Sequence, residues 1–576
     1  MINEKVVEHL ATISNLYSQT GNKWKSIAYE KASLTVERLD YELTLDVQLT
    51  DLKGIGNSIA QLIDEFMATG TSKKLEELQK QFGVDSAILK QLEQVIKIPK
   101  IGLKTAKKIY EQHGICTVDG LKKAVEDGTI VGKLAAIITD GVRFLEALGE
   151  RMPWFEADSV AAIVLHKLQQ VGRAKVAGSL RRRREGIRDF DFVAVANAAD
   201  VTKVLDGKTF QSPSCTVGIK WIQGGDKKLV FELDINGRTF RKADVALTTE
   251  ESFGNNLNYL TGSAQFNIAL RQLALRKGYT INEHFTVRKA DSKKMPSAKE
   301  TDIFDILEIP FVPPECRVTG KEIGSIQFST KHLIPKNVDV IQGDLHVHTS
   351  VSDGTYSPIN VVDLAKKAGF KFIGISDHSK RTHGPDELAL VEHAKNVKQL
   401  ANKMGFPVFI GTEMDIRTNG ELDYELYVLG HLDYIILATH RQNDKNIVNR
   451  QMGAILAIRA KYPNKPIMIA HLTGRRIGLR PGAVEEDWTD FFPFCAKNNI
   501  VLEINCQKDR RDIPAPLIRQ AAKAGCTFSL GTDFHNNSLR AFKPGIIEAR
   551  RGGLSSKNIL NTDANKVFNW LKTGKL

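Results

Sequence analysis

Cysteine is scarce in this chain of 576 residues. The six occupy positions 116, 215, 316, 495, 506 and 526, and no two are spaced as Cys-x-x-Cys. That argues against a thiolate zinc site or a disulfide framework and fits a reducing cytoplasm. No run approaches the ~18 consecutive apolar residues of a membrane span, so no membrane partner is expected. The opening residues, Met1-Ile2-Asn3-Glu4-Lys5, lack a basic segment leading into an apolar block, so no secretion leader is expected. Low-complexity tracts and heptad seams are also missing, which removes the disordered and coiled-coil classes and leaves a monomer as the expectation. Acidic residues are outnumbered, 67 against 80 Lys and Arg, for a net charge of +13. Such an excess favours a polyanionic partner without identifying it. The length accommodates about three to five domains.

To about residue 148 apolar residues recur at three and four, as in Val6, Leu10, Ile13 and Leu16 or Leu52, Ile55, Ile59 and Ile63, which predicts helix after helix. From about 187 the pattern alternates, predicting strands over 187–195, 229–235 and 240–247, then a helix over 264–277. A Pro-rich passage beginning Ile309-Pro310-Phe311-Val312-Pro313-Pro314 and ending near Pro335 reads as a linker. Beyond 338 one unit repeats every ~30 residues, a short apolar strand followed by an amphipathic helix. The predicted strands are 343–348, 372–378, 408–414, 434–440, 467–471, 501–505 and 528–535. Seven such units suggest a parallel α/β barrel with its active site at the C-terminal strand ends.

Those strand ends carry metal-type side chains: His346 and His348, then Asp353, His378, Glu413, His440, His471, Asp533 and His535. Histidines at i and i+2 on a strand face the same way and can reach one ion. Mixed imidazole and carboxylate suit zinc, manganese or iron. Nine ligands exceed what one ion can use, so a cluster of two or three ions is expected, an arrangement suited to phosphoester hydrolysis. His383, His393 and His431 are read instead as surface or structural histidines.

Asp344-Leu345-His346-Val347-His348-Thr349 with Ser352-Asp353-Gly354, then Ser376-Asp377-His378 and Asp533-Phe534-His535, resemble the signature of the PHP (polymerase and histidinol phosphatase) superfamily. The resemblance implies a seven-stranded α/β barrel over 338–576 with a trinuclear site, often manganese-loaded, acting on phosphoesters. Lys380 and Arg381, beside one ligand, could meet DNA phosphates.

In the first half, Gly178-Ser179-Leu180-Arg181-Arg182 precedes Asp189-Phe190-Asp191-Phe192-Val193. The i, i+2 spacing puts Asp189 and Asp191 on one face of a strand and both phenylalanines on the other. Asp244 interrupts a later apolar strand with opposite parity. Three carboxylates on adjacent strands can hold two divalent ions for an in-line displacement at phosphorus. The glycine–serine turn offers N–H groups to phosphates, and Arg182 offers charge. Alone, an Asp-x-Asp pair or the basic run 181–184 is equally a solvated surface. The combination resembles the nucleotidyltransferase superfamily, and Tyr259-Leu260-Thr261-Gly262-Ser263 with Asn267 and Arg271 narrows this to family X DNA polymerases, the group of DNA polymerase beta.

That resemblance implies that Asp189 and Asp191 bind two Mg²⁺ or Mn²⁺ ions and that Asp244 binds the catalytic one near the primer 3′-hydroxyl. Gly178, Ser179 and Arg182 would hold the triphosphate, Tyr259 and Gly262 would lie along the incoming sugar, and Asn267 and Arg271 would face the nascent pair. Departures stand at Leu260, Lys242, Ala246 and Ala264, where relatives differ. Two segments, 52–60 with Gly54 and Gly56 and 98–106 with Ile101, Gly102 and Lys104, resemble helix–hairpin–helix elements that grip DNA backbone without reading sequence. A monovalent cation at such hairpins is part of the same expectation. Lys23-Trp24-Lys25 with Tyr29 and Lys31 resembles a pocket for a 5′-phosphate, and Lys25 is assigned to DNA. Leu62 and Ser58 stand where lyase-active relatives carry lysines, so the usual deoxyribose-phosphate lyase is not expected, since leucine forms no imine.

The whole resembles bacterial and archaeal family X polymerases with a C-terminal PHP domain. The expected domains are 1–90 (helical, DNA-binding), 91–150 (second helix–hairpin–helix), 151–250 (nucleotidyltransferase palm), 251–315 (nascent-base-pair binding), 316–337 (linker) and 338–576 (PHP). The expected activity is gap-filling repair synthesis with a 3′–5′ exonuclease, on gapped or primer-template DNA and dNTPs, in the cytoplasm at the nucleoid. A small-molecule phosphatase fused to a polymerase, and a DNA-binding scaffold with a silent polymerase, stay open as alternatives.

Overall fold

The computed structural model describes residues 2–576 except 20–21, 38–42, 45–46, 48, 53, 83–91, 93–94, 96–97, 99–100, 102, 150, 238, 441–445, 478–481, 485 and 537. The chain forms two compact units, Met1–Glu150 and Arg151–Leu576. The first is helical. Helices Ile2–Gln19 and Lys23–Glu37 pack side by side, and Asn57–Thr69, Lys73–Phe82, Leu103–His113, Val118–Glu126 and Gly132–Gly149 follow. Leu10, Ile13, Ile55, Ile63, Ile101 and Ile109 share one core, which is the three-and-four spacing made physical.

The second unit opens with a six-stranded sheet ordered Arg173–Val176, Asp189–Val195, Thr239–Leu247, Lys228–Ile235, Thr216–Gly225 and Lys208–Gln211. The second and third strands of that order, Asp189–Val195 and Thr239–Leu247, run parallel, with Asp191 directly opposite Asp244. Phe190 and Phe192 are buried beneath helix Trp154–Leu168, and Asp189 and Asp191 lie on the half-exposed face, as the alternation requires. Helices Phe253–Thr261 and Ala264–Arg276 and a small antiparallel sheet follow.

The passage 316–337 is packed rather than loose. Cys316, Arg317, Glu322, Leu333 and Ile334 are buried. The Arg317 guanidinium donates to Glu300 (2.7 Å), which also receives Arg181 (2.6 Å).

The barrel matches the repeat closely. Gly343–Asp344, Phe372–Ile375 and Val408–Ile410 form one parallel sheet, and Glu413–Asp415, Ile435–Ala438, Ile467–Ile469, Val501–Asn505 and Thr527–Gly531 form another. Parallel bridges His378–Glu413 and Val347–Phe534 join the two into a closed ring. The predicted strand 408–414 is split at Gly411. The Tyr434 ring occupies the barrel interior there, so that a Cβ on Gly411 would lie 2.6 Å from it and one on Gly374 2.3 Å from its hydroxyl. Tyr434 packs with Leu345, Phe372, Ile436, Met468 and Trp570 to fill the barrel floor, while alternate strand residues such as Ile435 and Leu437 face the outer helices. The predicted ligand residues lie at or just past the strand ends, above this plug.

Candidate active sites

In the palm, Gly178 has φ +61° and begins the short helix Gly178–Arg181. A Cβ on it would lie 1.8 Å from Asp191 Oδ2, so only glycine lets this turn approach the carboxylate. Asp191 is pushed up to about 6 by burial, then by the neighbouring Asp244 and Asp189. Asp244 Oδ2 receives Lys228 (2.6 Å) and Lys242 (2.9 Å), while its Oδ1 is buried without a hydrogen-bond partner. Asp189 turns toward Arg188 (3.3 Å).

Tight metal-type groups, with donor atoms all within 4.8 Å, occur in the barrel among the described residues but not among the three palm carboxylates. Like charges separate until a cation holds them, and here lysine and arginine draw two of them aside. An orphaned carboxylate oxygen beside a second carboxyl with a raised pKa is a donor set that fits divalent ions.

Arg182 donates to the Thr261 carbonyl, and a Cβ on Gly262 would come within 3.1 Å of its guanidinium. Ser179 is half-buried one position after Gly178. Asn267 donates to the Tyr259 carbonyl (2.7 Å), and the Arg271 guanidinium lies 5.3 Å from the Tyr259 ring centre. The structure thus gathers the predicted nucleotide residues into two neighbouring sets. Leu260 packs against the cluster of Ala177, Val193, Phe253 and Leu257.

In the barrel, Glu413 is fully buried among five imidazoles. His471 Nε2 lies 2.7 Å and His440 Nε2 3.3 Å from Oε1; His378 Nδ1 lies 2.8 Å, and His346 and His348 Nε2 each 3.4 Å, from Oε2. None of these is aligned as a hydrogen bond, since both Glu413 oxygens, His346 Nε2, His378 Nδ1 and both nitrogens of His348 are buried without partners. Asp533 Oδ1 lies 3.4 Å from His348 Nε2. Asp353 faces His535 (3.2 Å) and His378 (3.6 Å). Four overlapping donor groups result, with His346, His348, His378 and Glu413 each in two of them.

Orphaned imidazole and carboxylate atoms aimed at shared points fit bound divalent ions. Burial raises the Glu413 carboxyl, but His378, His440, His346 and His471 outweigh it and hold the group well below the usual carboxylate range. Burial lowers His440, yet Glu413 and Asp415 bring it up to about 10. Burial dominates at His348 and takes it down to about 4.

Three residues that no sequence motif singles out meet these histidines from behind. Glu503 Oε1 lies 2.6 Å from His346 Nδ1, Asp415 Oδ1 lies 2.7 Å from His440 Nδ1, and Asn505 Nδ2 lies 3.0 Å from His471 Nδ1. Such partners fix the ring orientation of a metal-binding histidine. Glu503 had a signal, as the one charge in the apolar strand Val501–Asn505. His393 is buried beside Asp377 (3.2 Å), and His383 and His431 are exposed. Lys380 pairs with Glu387 (2.5 Å) and Arg381 with Asp423 (3.4 Å).

In the helical unit, Gly54 (φ +96°) and Gly56 are exposed at the turn before Asn57–Thr69. Ile101 is buried, so only its backbone can meet a ligand. Gly102 lies outside the described residues, as does the Lys104 side chain on helix Leu103–His113. Lys25 is exposed, with its ammonium 5.2 Å from the Tyr17 ring centre, Trp24 is exposed, and Leu62 is buried. The Lys23 and Lys31 side chains lie outside the described residues.

A sheet carrying paired carboxylates beside a glycine turn, followed by a histidine-lined parallel barrel, defines a protein with two metal-dependent phosphoryl-transfer centres. Family models match as a helix-hairpin-helix domain (1–72), a SAM-like helix-hairpin-helix tandem (92–139), a DNA polymerase beta thumb (256–318) and a PHP domain (344–506). The chain is 31% identical to the DNA polymerase/3'-5' exonuclease PolX of Bacillus subtilis over 98% of both chains. It is 25% identical to DNA polymerase lambda of Rattus norvegicus over 54% of this chain and 56% of that one. For DNA polymerase lambda of Arabidopsis thaliana the identity is 24%, over 55% and 62%. The chain belongs to the family X DNA polymerases that carry a C-terminal PHP domain.

Proposed function

We propose that the palm fills short gaps during DNA repair and that the barrel removes 3′-terminal nucleotides from the same DNA. The chain is a divalent-metal-dependent DNA polymerase and 3′–5′ exonuclease. One observation carries the pairing: Asp191 stands opposite Asp244 in one domain, and Glu413 stands amid five imidazoles in the other.

Divalent ions, Mg²⁺ or Mn²⁺ in the palm and two or three of Mn²⁺, Zn²⁺ or Fe²⁺ in the barrel, would be held by the carboxylates and imidazoles of the two sites and would supply positive charge for phosphate oxygens and for the attacking oxygen. Asp189, Asp191 and Asp244 hold the palm ions. Gly178, Ser179 and Arg182 seat the triphosphate, Tyr259 and Gly262 border the sugar, and Asn267 with Arg271 borders the nascent pair. In the barrel His346, His348, Asp353, His378, Glu413, His440, His471, Asp533 and His535 are the ligands, with Glu503, Asp415 and Asn505 fixing ring orientation. The hairpins at Gly54 and Gly56 and at Ile101, Gly102 and Lys104, with Lys25 and a monovalent cation, hold the DNA backbone. The working form is a monomer at the cytoplasmic nucleoid. No described helix is long and apolar enough to cross a membrane.

Primer extension on a one-nucleotide gap tests the palm. Wild type extends and Asp189→Ala and Asp191→Ala do not; equal extension by all three overturns the assignment. Digestion of a labelled primer tests the barrel. A ladder that disappears in His346→Ala supports an exonuclease, whereas an intact primer with turnover of a small phosphate ester points to a phosphatase.

A further inference from the structure

The loop 506–514, between strand Val501–Asn505 and helix Ala515–Lys523, carries two adjacent arginines with different surroundings. Arg511 is buried against Glu548 and the Arg183 carbonyl. Arg510 is only 6% exposed, and no hydrogen bond reaches its guanidinium among the described residues. Its nearest acid is the ligand Asp533, 3.7 Å from Nε and beyond hydrogen-bond range. Arg475, Arg511 and Arg550, buried in the same barrel, each pair with a carboxylate at bonding distance.

The loop is rigidly held there. The Gln507 side chain donates to the carbonyls of Thr532 (3.0 Å) and Asp533 (2.6 Å), and the Gln507 backbone carbonyl accepts the Arg510 amide (3.1 Å). Asp512 accepts from Thr473 (3.0 Å), two residues past His471. Arg510 is therefore fixed between two ligand strands with its donors free.

A mostly buried guanidinium whose donors meet no protein acceptor within hydrogen-bond range is placed to receive an anion. Its planar fork matches two oxygens of a phosphate. We propose that Arg510 is a catalytic residue of the barrel that clamps the non-bridging oxygens of the phosphate being hydrolysed and of the nucleoside monophosphate released. The proposal rests on the reading of the barrel as a nuclease. It assigns the substrate-phosphate contact to this inner arginine rather than to Lys380 or Arg381, which are exposed and paired with Glu387 and Asp423.

The test uses the full chain loaded with Mn²⁺, with Arg510→Ala and Arg510→Lys. Calorimetric binding of dTMP is expected to weaken about 30-fold in Arg510→Ala, the loss of a charge-assisted contact. Primer digestion is expected to fall ~100-fold in kcat/KM, with millimolar guanidine restoring part of it, manganese content unchanged and gap filling intact as the internal control. Arg510→Lys, which keeps charge but not the fork, is expected to fall between. Wild-type dTMP affinity in Arg510→Ala overturns the proposal. So does a loss of activity that tracks loss of manganese without guanidine rescue, which makes Arg510 a support for Asp533. If dTMP binding depends on Arg510 but wild type leaves primers intact, the clamp stands and the nuclease reading falls.

Discussion

Arg511 of the barrel donates to the backbone carbonyl of Arg183 in the palm (3.2 Å), and Arg551 reaches the same oxygen (3.2 Å). Arg183 follows the predicted triphosphate residue Arg182 and has φ +55°, so the barrel braces the end of the phosphate turn. Arg511→Ala also takes from buried Glu548 its nearest guanidinium, leaving the Ala515 amide and Arg551, and is expected to cost ~3 kcal/mol in urea unfolding. Adding Glu548→Gln should recover much of that stability, while the KM for dNTP stays raised. A double variant with wild-type KM removes Arg511 from any role in nucleotide binding.

Gly178→Ala places a methyl group where Asp191 Oδ2 now lies. Gap filling is expected to fall by ~100-fold or more through displacement of a metal ligand, while primer digestion at the barrel is unchanged. Parallel assays on one preparation check this.

The palm should respond to pH through Asp191. Burial, then Asp244 and Asp189, set its pKa at about 6. Below that the carboxyl is protonated and competes with the ion, so at limiting Mg²⁺ extension should drop about tenfold per pH unit below ~6, and saturating Mg²⁺ should push the drop lower. In metal-free protein the sign on stability is opposite. The contribution is present below the unfolded value of 3.8 and is lost as pH rises through 6. Urea titrations with and without Mg²⁺ separate the two effects.

Chelation should loosen the barrel. Ions that bind only the folded state add stability by mass action, so removing them is expected to lower the melting temperature by several degrees, and Mn²⁺ should restore it. His346→Ala should abolish both the Mn²⁺-dependent shift and primer digestion while gap filling continues. An unaltered shift in that variant would remove His346 from the ligand set.

Glu300 is buried between Arg317 and Arg181. Burial raises its carboxyl, but the two guanidiniums hold it at about 2. Its stabilisation should be complete above the unfolded value of 4.5 and be lost as pH falls toward 2. Glu300→Gln should cost ~3 kcal/mol at neutral pH and flatten the acid limb of the stability profile.

Much of the site was legible because its chemistry is written in short strand-end motifs. His346 and His348, Asp189 and Asp191 each declare a common face by spacing alone. The strands Thr216–Gly225 and Lys208–Gln211 were not legible, since both are largely exposed and Lys- or Gly-bearing, with little alternation to read. The residues that orient ligands, Asp415, Glu503 and Asn505, meet their histidines only across the ring of strands. The alternation over 343–348 predicts one strand, yet the ladder ends at Asp344 and resumes only as the bridge at Val347. The Pro-rich passage suggested slack because its buried partners, Arg550 and Glu300 among them, lie far away in sequence.

That passage works as a keel common to both halves. Cys316 Sγ donates to the Arg550 carbonyl (3.3 Å), Glu315 joins Arg550 (2.8 Å), and Arg317 reaches back to Glu300. A chain cut there would strand opposite charges on two raw faces, so builder and trimmer are not interchangeable cassettes: on heating, residues 151–576 should melt in a single cooperative step, although each half keeps its own chemistry.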